Sequence, residues 1–152
     1  MSLPSNIQFL PCTTGDGDQL ADLRRDAMRP SLEAIGRFDS TRVRTRFLEG
    51  FISEDTWQIR DDNQLAGFFV LRSKEDHLYL DHLYIAPDCQ GRGIGNVVMK
   101  VVKAKATLKC QPIRLRSLKI GPSNGFYQSQ GFRITSSDDL DNWYEWLPEG
   151  LQ

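Results

Sequence analysis

The chain has 152 residues, and its 19 basic and 20 acidic side chains give a net charge of −1 at neutral pH. This balance excludes a general attraction to nucleic acid or to an anionic membrane, so we expect neither as a partner. No apolar run approaches the roughly 18 residues of a membrane span, and we expect no secretory signal, because the first residues lack a basic stretch and an apolar core. We therefore expect a cytoplasmic protein whose residues 1–152 form a single domain.

The first part of the chain predicts one strand and two helices. Asn6 to Leu10 is a short apolar-leaning run, and Asp18 is a candidate N-cap for the helix that follows. Pro30 is expected to end that helix. The second helix is predicted from an apolar stripe formed by Val43, Phe47, Leu48, Phe51 and Ile52.

The middle of the chain changes to the periodicity of strands. Three runs, Thr56 to Arg60, Leu65 to Arg72 and His77 to Ile85, are joined by short polar turns, which predicts antiparallel neighbours. The remaining predicted elements are a helix from about Gly93 to Leu108, a strand from Ile113 to Leu118, a short helix from Asn124 to Gln130, and closing strands at Arg133 to Thr135 and Tyr144 to Leu147. The order β-α-α-β-β-β-α-β-α-β predicts an α/β (α+β) domain with a mixed, mostly antiparallel sheet flanked by helices.

A glycine-rich loop separates the third central strand from the long helix. It consists of Gln90, Gly91, Arg92, Gly93, Ile94, Gly95 and Asn96. Glycines let the backbone approach a ligand closely, and a helix N-terminus offers unpaired N–H groups, so the loop predicts a phosphate or pyrophosphate site. The dinucleotide fingerprint fails because Asn96 and Val98 stand where its last glycine is required, which disfavours a nucleotide-binding enzyme. A turn that only connects strand and helix is the alternative.

Two segments carry a resemblance to a known family. Leu83 to Gly95 closely resembles the acetyl-CoA-binding motif of the GNAT superfamily of N-acetyltransferases, and Pro122 to Phe132 resembles a later motif of that family. The predicted element order is also similar to that of the family. The resemblance implies a GNAT-like fold and acetyl-CoA as co-substrate, with no metal. Many relatives are dimers, so a homodimer is one of the partners to test.

The resemblance also implies roles for individual residues. The pyrophosphate of acetyl-CoA would lie on Gln90 to Gly95 and Asn96, and the pantetheine arm would pair with the backbone of Leu83, Tyr84 and Ile85. Gly121 stands where the family usually has an asparagine that helps to hold the cofactor. Asn124, three residues further on, is a candidate cofactor-binding residue. Tyr127 matches the tyrosine that meets the departing sulfur.

Acyl transfer to an amine requires the neutral amine, and for a lysine-like group at pH 7 its deprotonation costs about 4.6 kcal/mol. A base is therefore needed more than an acid. Asp81 and His82 are the base candidates on the third central strand, and as neighbours on a strand they point to opposite faces. Tyr127 is the candidate general acid; a buried core aromatic is the alternative for it.

We expect an N-acetyltransferase that transfers the acetyl group of acetyl-CoA directly to a primary amine of a small molecule or peptide. A CoA-binding sensor or partner module with little or no catalysis is the alternative from another class, and Gly121 keeps it open. Binding assays with CoA and with ATP would separate these readings from a nucleotide-binding enzyme.

Overall fold

The structure is a computed structural model that describes residues 6–152. Strands and α-helices follow one another in the order β-α-α-β-β-β-α-β-α-β-β. The strands are β1 Ile7–Pro11, β2 Thr56–Asp61, β3 Gln64–Ser73, β4 Leu78–Ile85, β5 Ile113–Leu118, β6 Arg133–Ser137 and β7 Asp141–Trp146. The helices are α1 Gly17–Ala34, α2 Ser40–Glu49, α3 Ile94–Lys109 and α4 Ser123–Ser129.

The strands form one mixed sheet in the order β1-β2-β3-β4-β5-β7-β6. The pairs β1–β2, β2–β3, β5–β7 and β6–β7 are antiparallel, whereas β4 and β5 are parallel. The parallel pair follows from the chain between the two strands, because a crossover that contains α3 returns the chain in the same direction. The predicted fold class, a mixed and mostly antiparallel sheet with helices, is confirmed.

The chain folds as two compact units. The first contains the described residues up to Val70 together with His82–Gly95, and the second contains Leu71–Asp81 and Asn96–Gln152. Strands β3 and β4 therefore each contribute residues to both units. Every contact described below lies within one unit.

Apolar side chains from two helices and a strand form the core of the first unit. Leu20, Ala21 and Leu23 of α1 are buried with Phe47 of α2 and with Phe68 of β3. The α1 residues lie on one face of the helix, as their spacing predicts. Helices α1 and α2 thus cover the first-unit part of the sheet that carries β4 residues 82–85.

The core of the second unit is built on α3 and β5. Its fully buried side chains include Val98, Met99 and Val102 of α3 and Ile113 of β5. Tyr144 of β7 is also buried, with 1% of its surface exposed. Alternate residues of β5 point inward, which is the period of a strand with one solvent-facing side.

Pro30 lies inside α1, so the prediction that it ends the helix was wrong. A proline removes one hydrogen bond to the preceding turn, but its fixed φ is itself helical. The residues after it still bond in helical fashion, and α1 ends at Ala34. Gly36, with φ +69°, then supplies the left-handed turn that leaves the helix.

The helix also begins earlier than predicted, because Asp18 lies in its first turn and Asp16 occupies the N-cap position. The backbone N–H of Thr13 donates to the Asp16 carboxylate at 2.7 Å. This bond closes a short 3₁₀ turn, Thr14–Asp16, that leads directly into α1. Within the described residues no helix is both long and apolar enough to cross a membrane.

Candidate active site

The glycine loop of the first unit joins β4 to α3, as predicted. A single 3₁₀ turn, Pro87–Cys89, follows β4, and α3 begins at Ile94. Gly91 and Gly93 have φ values of +79° and +81°, in the left-handed region that favours glycine. A β-carbon at Gly91 would meet no atom within 4 Å, so glycine is required there by the backbone conformation and not by crowding. The loop thus leads the chain into the first turn of α3, whose N–H groups lack partners within the helix.

Two side chains of the loop are fixed by contacts inside the first unit. The Gln90 amide donates to the Ile85 carbonyl oxygen at 3.1 Å. The Arg92 guanidinium forms an ion pair with Asp61, the last residue of β2. Cys89 is buried beside the loop. Burial is the main cause that raises the pKa of its thiol, and the neighbouring Asp88 raises it further. The side chains of Gln90 and Arg92 are therefore engaged within the protein, and the Cys89 thiol is disfavoured as a thiolate.

The end of β4 lies close to β3 in the first unit. Leu83, Tyr84 and Ile85 are half-buried. Gly67 of β3 faces them, and a β-carbon at Gly67 would overlap the Tyr84 carbonyl oxygen and lie 3.2 Å from the Ile85 Cα atom. The absence of a side chain at residue 67 is therefore what allows this backbone approach.

His82 lies in an aromatic setting in the first unit. Its ring packs edge-on against Phe47 of α2, with the ring centroids 5.3 Å apart, and it is half-buried. Its Nδ1 atom lies 3.4 Å from the Tyr84 hydroxyl. The Arg24 Nε atom donates to the same hydroxyl at 3.3 Å and thereby links α1 to β4. Aromatic packing and the polar contact of Nδ1 thus both contribute to the position of the imidazole.

Asp81, the other predicted base, belongs to the second unit and has a different partner. The Nε atom of Arg72 donates to its carboxylate at 2.9 Å, and 31% of the Asp81 side chain is exposed. The Asp81 carboxylate is thus already engaged by a guanidinium. His82 is the base candidate that lies in the first unit.

Tyr127 is buried on α4 in the second unit, with 7% of its surface exposed. Its ring contacts Phe126, Phe132 and Tyr144, at centroid distances of 5.3, 5.6 and 6.0 Å. The aromatic cluster fixes the position of the phenol ring. Both sequence-based interpretations of Tyr127, a core aromatic and a proton donor, remain compatible with this placement.

Asn124, a predicted cofactor-binding residue, uses its whole side-chain amide inside the second unit. Its Nδ2 atom donates to the carbonyl oxygens of Leu118 and Gly121, both at 2.8 Å, and to that of Lys119 at 3.1 Å. Its Oδ1 atom accepts from the Tyr144 hydroxyl at 2.8 Å and also from Asn142. The side chain therefore organises the connection between β5 and α4.

Asn96, at the start of α3, is engaged in a similar way. Its Oδ1 atom accepts from the Gln130 amide at 2.6 Å, and the Lys103 ammonium donates to the Gln130 carbonyl oxygen at 2.7 Å. Burial lowers the pKa of Lys103. These contacts join α3 to the end of α4 in the second unit.

Sequence reasoning missed three residues that contact candidate site residues within their own unit: Arg24, Asp61 and Arg72. The partners of Arg24 and Asp61 lie 60 and 31 residues away in the chain, and that of Arg72 lies 9 residues away on the neighbouring strand. No local motif marks these partners. Among residues 6–152 no group of three or more His, Cys, Asp or Glu side chains is arranged to hold a metal ion.

Comparison with known proteins identifies the family. The family model described as an acetyltransferase (GNAT) domain matches residues 26–149. The peptidyl-lysine N-acetyltransferase YjaB of Salmonella typhimurium is 26% identical over 120 residues, which cover 75% of this chain and 77% of that protein. YjaB of Escherichia coli is likewise 26% identical, over 117 residues that cover 74% of this chain and 75% of that protein.

Solved structures agree in fold. The PaiA N-acetyltransferase of Thermoplasma acidophilum, solved in complex with coenzyme A, has a TM-score of 0.78 at 18% identity, with 94% of this chain and 99% of that chain covered. Apo YjaB of Escherichia coli has a TM-score of 0.74 at 19% identity, covering 95% of this chain and 99% of that one. With the family model spanning most of the chain, the protein belongs to the GNAT family of N-acetyltransferases.

Proposed function

We propose that the chain transfers the acetyl group of acetyl-CoA directly to a primary amine, and that the loop Gln90–Gly95 binds the diphosphate of the co-substrate. The observation that carries this proposal is the pair of left-handed glycines, Gly91 and Gly93, immediately before the first turn of α3. Such a backbone aims N–H groups outward at the positive end of a helix dipole. An anionic diphosphate fits these donors.

The end of β4 supports a role in binding the pantetheine arm. The arm carries amide groups that pair with an extended backbone, and Leu83 to Ile85 are extended and half-buried. The backbone approach at Gly67 shapes this end of the strand. Asn124 uses its own amide within the second unit, so its role there is to fix the start of α4.

We assign the general base to His82. The nitrogen of the neutral amine attacks the thioester carbonyl carbon, a C–N bond forms, the C–S bond breaks, and the amine proton passes to the imidazole directly or through a water. A histidine has the ordinary pKa that suits a base near neutral pH. We assign Tyr127 to protonation of the thiolate that leaves. Because the acceptor amine itself attacks the thioester, no acyl-enzyme is formed.

We propose a lysine side chain of a peptide as the acceptor. The support is that two relatives, the YjaB proteins, are peptidyl-lysine N-acetyltransferases. The lysine amine is also the acceptor for which a base matters most, since its ordinary pKa is about 10.4.

The test is thiol release from acetyl-CoA in the presence of a lysine-containing peptide, the same peptide with arginine in place of lysine, and free lysine. We expect CoA release that requires the lysine peptide, with an acetyl group on the lysine Nε atom by mass spectrometry. CoA release with free lysine but with neither peptide would reassign the acceptor to small molecules. Binding of acetyl-CoA without turnover of any amine would favour the CoA-binding module and overturn the catalytic assignment.

A further inference from the structure

The arginine inside the glycine loop does not extend away from the protein. Arg92 lies between Gly91 and Gly93, and its guanidinium pairs with the carboxylate of Asp61 at the end of β2. Both residues belong to the first unit. Only 4% of the Asp61 side chain is exposed, compared with 30% of the Arg92 side chain. The loop is thus fastened at its centre to a buried carboxylate.

The buried carboxylate depends on this contact. Its Oδ2 atom accepts from Arg92, whereas its Oδ1 atom is buried and has no hydrogen-bond partner within the described part of the chain. Removal of a carboxylate from water is costly unless an opposite charge compensates for it. Arg92 supplies that charge, so the native state of Asp61 requires residue 92 to stay where it is.

The position of residue 92 matters because both of its neighbours are glycines, which can adopt many backbone conformations. Gly91 and Gly93 adopt φ values of +79° and +81° but reach negative φ values with equal ease. A loop with two such residues has many backbone conformations, of which a diphosphate requires one. The Asp61–Arg92 pair restricts residue 92 and so reduces the conformational entropy that is lost when the ligand binds.

We propose that Asp61 is a positioning residue for acetyl-CoA: through Arg92 it holds the loop in the conformation that binds the diphosphate. This inference rests on the proposed function of the loop. It also assigns Arg92 to the protein and not to the phosphates, which is the opposite of what an arginine in a phosphate loop first suggests.

The test uses Asp61→Ala and Asp61→Asn, with Asp62→Asn as the matched control. Asp62 is the adjacent carboxylate, and it contacts the Asn6 amide instead of the loop. Because Arg92 is already partly exposed, its cation can turn to water in Asp61→Ala without remaining buried and unpaired. Asp61→Asn keeps an acceptor for the guanidinium and serves as the conservative rescue. Thermal unfolding of each variant identifies any that does not fold, in which case Asp61→Asn carries the test.

Two thioester ligands distinguish an effect on diphosphate binding by the loop from a general structural defect of the variant. Acetyl-CoA contains the diphosphate, and acetyl-pantetheine lacks it. We expect Asp61→Ala to raise the calorimetric Kd for CoA and the KM for acetyl-CoA by roughly tenfold, which corresponds to the entropic cost of ordering about one backbone residue when the ligand binds. In Asp61→Ala the kcat with either thioester and the KM for acetyl-pantetheine should stay near the wild-type values. The Kd for CoA and the KM for acetyl-CoA of Asp61→Asn should lie between those of the wild type and Asp61→Ala. Those of Asp62→Asn should match the wild type.

Three results would overturn the inference. Unchanged CoA binding in Asp61→Ala would show that the pair does not set the loop. Tighter CoA binding would show that the released Arg92 is a direct phosphate ligand. An equal loss with both thioesters would show a general structural defect. A wild-type protein that does not bind CoA would instead refute the proposed function itself.

Discussion

The side-chain carbonyl oxygen of Asn124 accepts a hydrogen bond from the Tyr144 hydroxyl at 2.8 Å, so the first turn of α4 is tied to β7. The ring of Tyr144 also lies 6.0 Å from that of Tyr127, between centroids. Asn124 thus fixes Tyr144, and the ring of Tyr144 in turn packs against that of Tyr127, the proposed proton donor.

Replacement of Asn124 by leucine, which has a similar volume, should destabilise the protein. The Gly121 carbonyl oxygen and the Tyr144 hydroxyl would each lose their hydrogen bond to Asn124, and one such part-buried loss costs about 1–3 kcal/mol. Urea unfolding measures the change in the free energy of unfolding. Ser123→Ala, an exposed change one residue away, is the control and should stay within about 0.5 kcal/mol of the wild type. Equal stabilities for the two variants would contradict the role given to Asn124.

Gly91→Ala should weaken binding of CoA and lower stability by about 1–2 kcal/mol, because a β-carbon disfavours the left-handed backbone. The matched control is Gly125→Ala. Gly125 lies in α4, and a β-carbon there would also meet no atom within 4 Å. Alanine in a helix is favoured over glycine by about 0.5–1 kcal/mol, so this variant should be slightly more stable. Calorimetry with CoA and thermal unfolding give the two readouts; wild-type affinity in Gly91→Ala would contradict the need for this conformation.

The base assignment predicts different pH profiles for His82→Gln and Asp81→Asn. His82→Gln should lower kcat by about 10²–10⁴-fold. In the wild type the rate should fall as the pH is lowered, because the imidazole becomes protonated and cannot accept the amine proton. That acidic decline should disappear in His82→Gln and persist in Asp81→Asn. If the decline persists in His82→Gln, the base is another group.

Tyr127→Phe should lower kcat by less than the His82 variant does. A leaving thiolate whose conjugate thiol has a pKa of about 8.5 depends less on a proton donor than the amine depends on a base, so we expect a loss of roughly tenfold to a hundredfold. The phenyl ring keeps the contacts with Phe132 and Tyr144, and loss of one hydroxyl should change the free energy of unfolding by about 1 kcal/mol. Steady-state kinetics should show an unchanged KM for acetyl-CoA. A kcat equal to that of the wild type would reduce Tyr127 to a core aromatic.

Periodicity predicted most of the elements because their apolar residues follow the period of the element. Strand β5 occupies the predicted residues, Ile113–Leu118. Strand β7 was predicted from Tyr144, yet it begins at Asp141. The apolar pattern misses the first residues of this strand because one of them, Asn142, is a buried polar residue that hydrogen-bonds with Asn124 and Ser137. Hydrophobic patterns cannot detect a polar side chain whose burial is compensated by distant partners.

The site was predictable only as far as its local motifs reach. The glycines predict the loop, because the backbone conformation that requires glycine is set by a few consecutive residues. The partner of Arg92 is Asp61, which lies on another strand, and nothing in either local sequence pairs them. Arg24 and Arg72 likewise contact β4 from other elements. Ion pairs and hydrogen bonds between different elements are consequences of tertiary packing, so the fold has to be known before they can be assigned.

Calorimetric titration of the wild-type protein with acetyl-CoA and with ATP tests the central claim most directly. Both ligands carry anionic phosphates, but only acetyl-CoA adds a pantetheine arm that can pair with β4. We predict binding of acetyl-CoA with a micromolar Kd (about −8 kcal/mol) and no heat with ATP at the same concentrations. Absence of acetyl-CoA binding, or equal binding of ATP, would contradict the assignment of Gln90–Gly95 and β4 to this co-substrate.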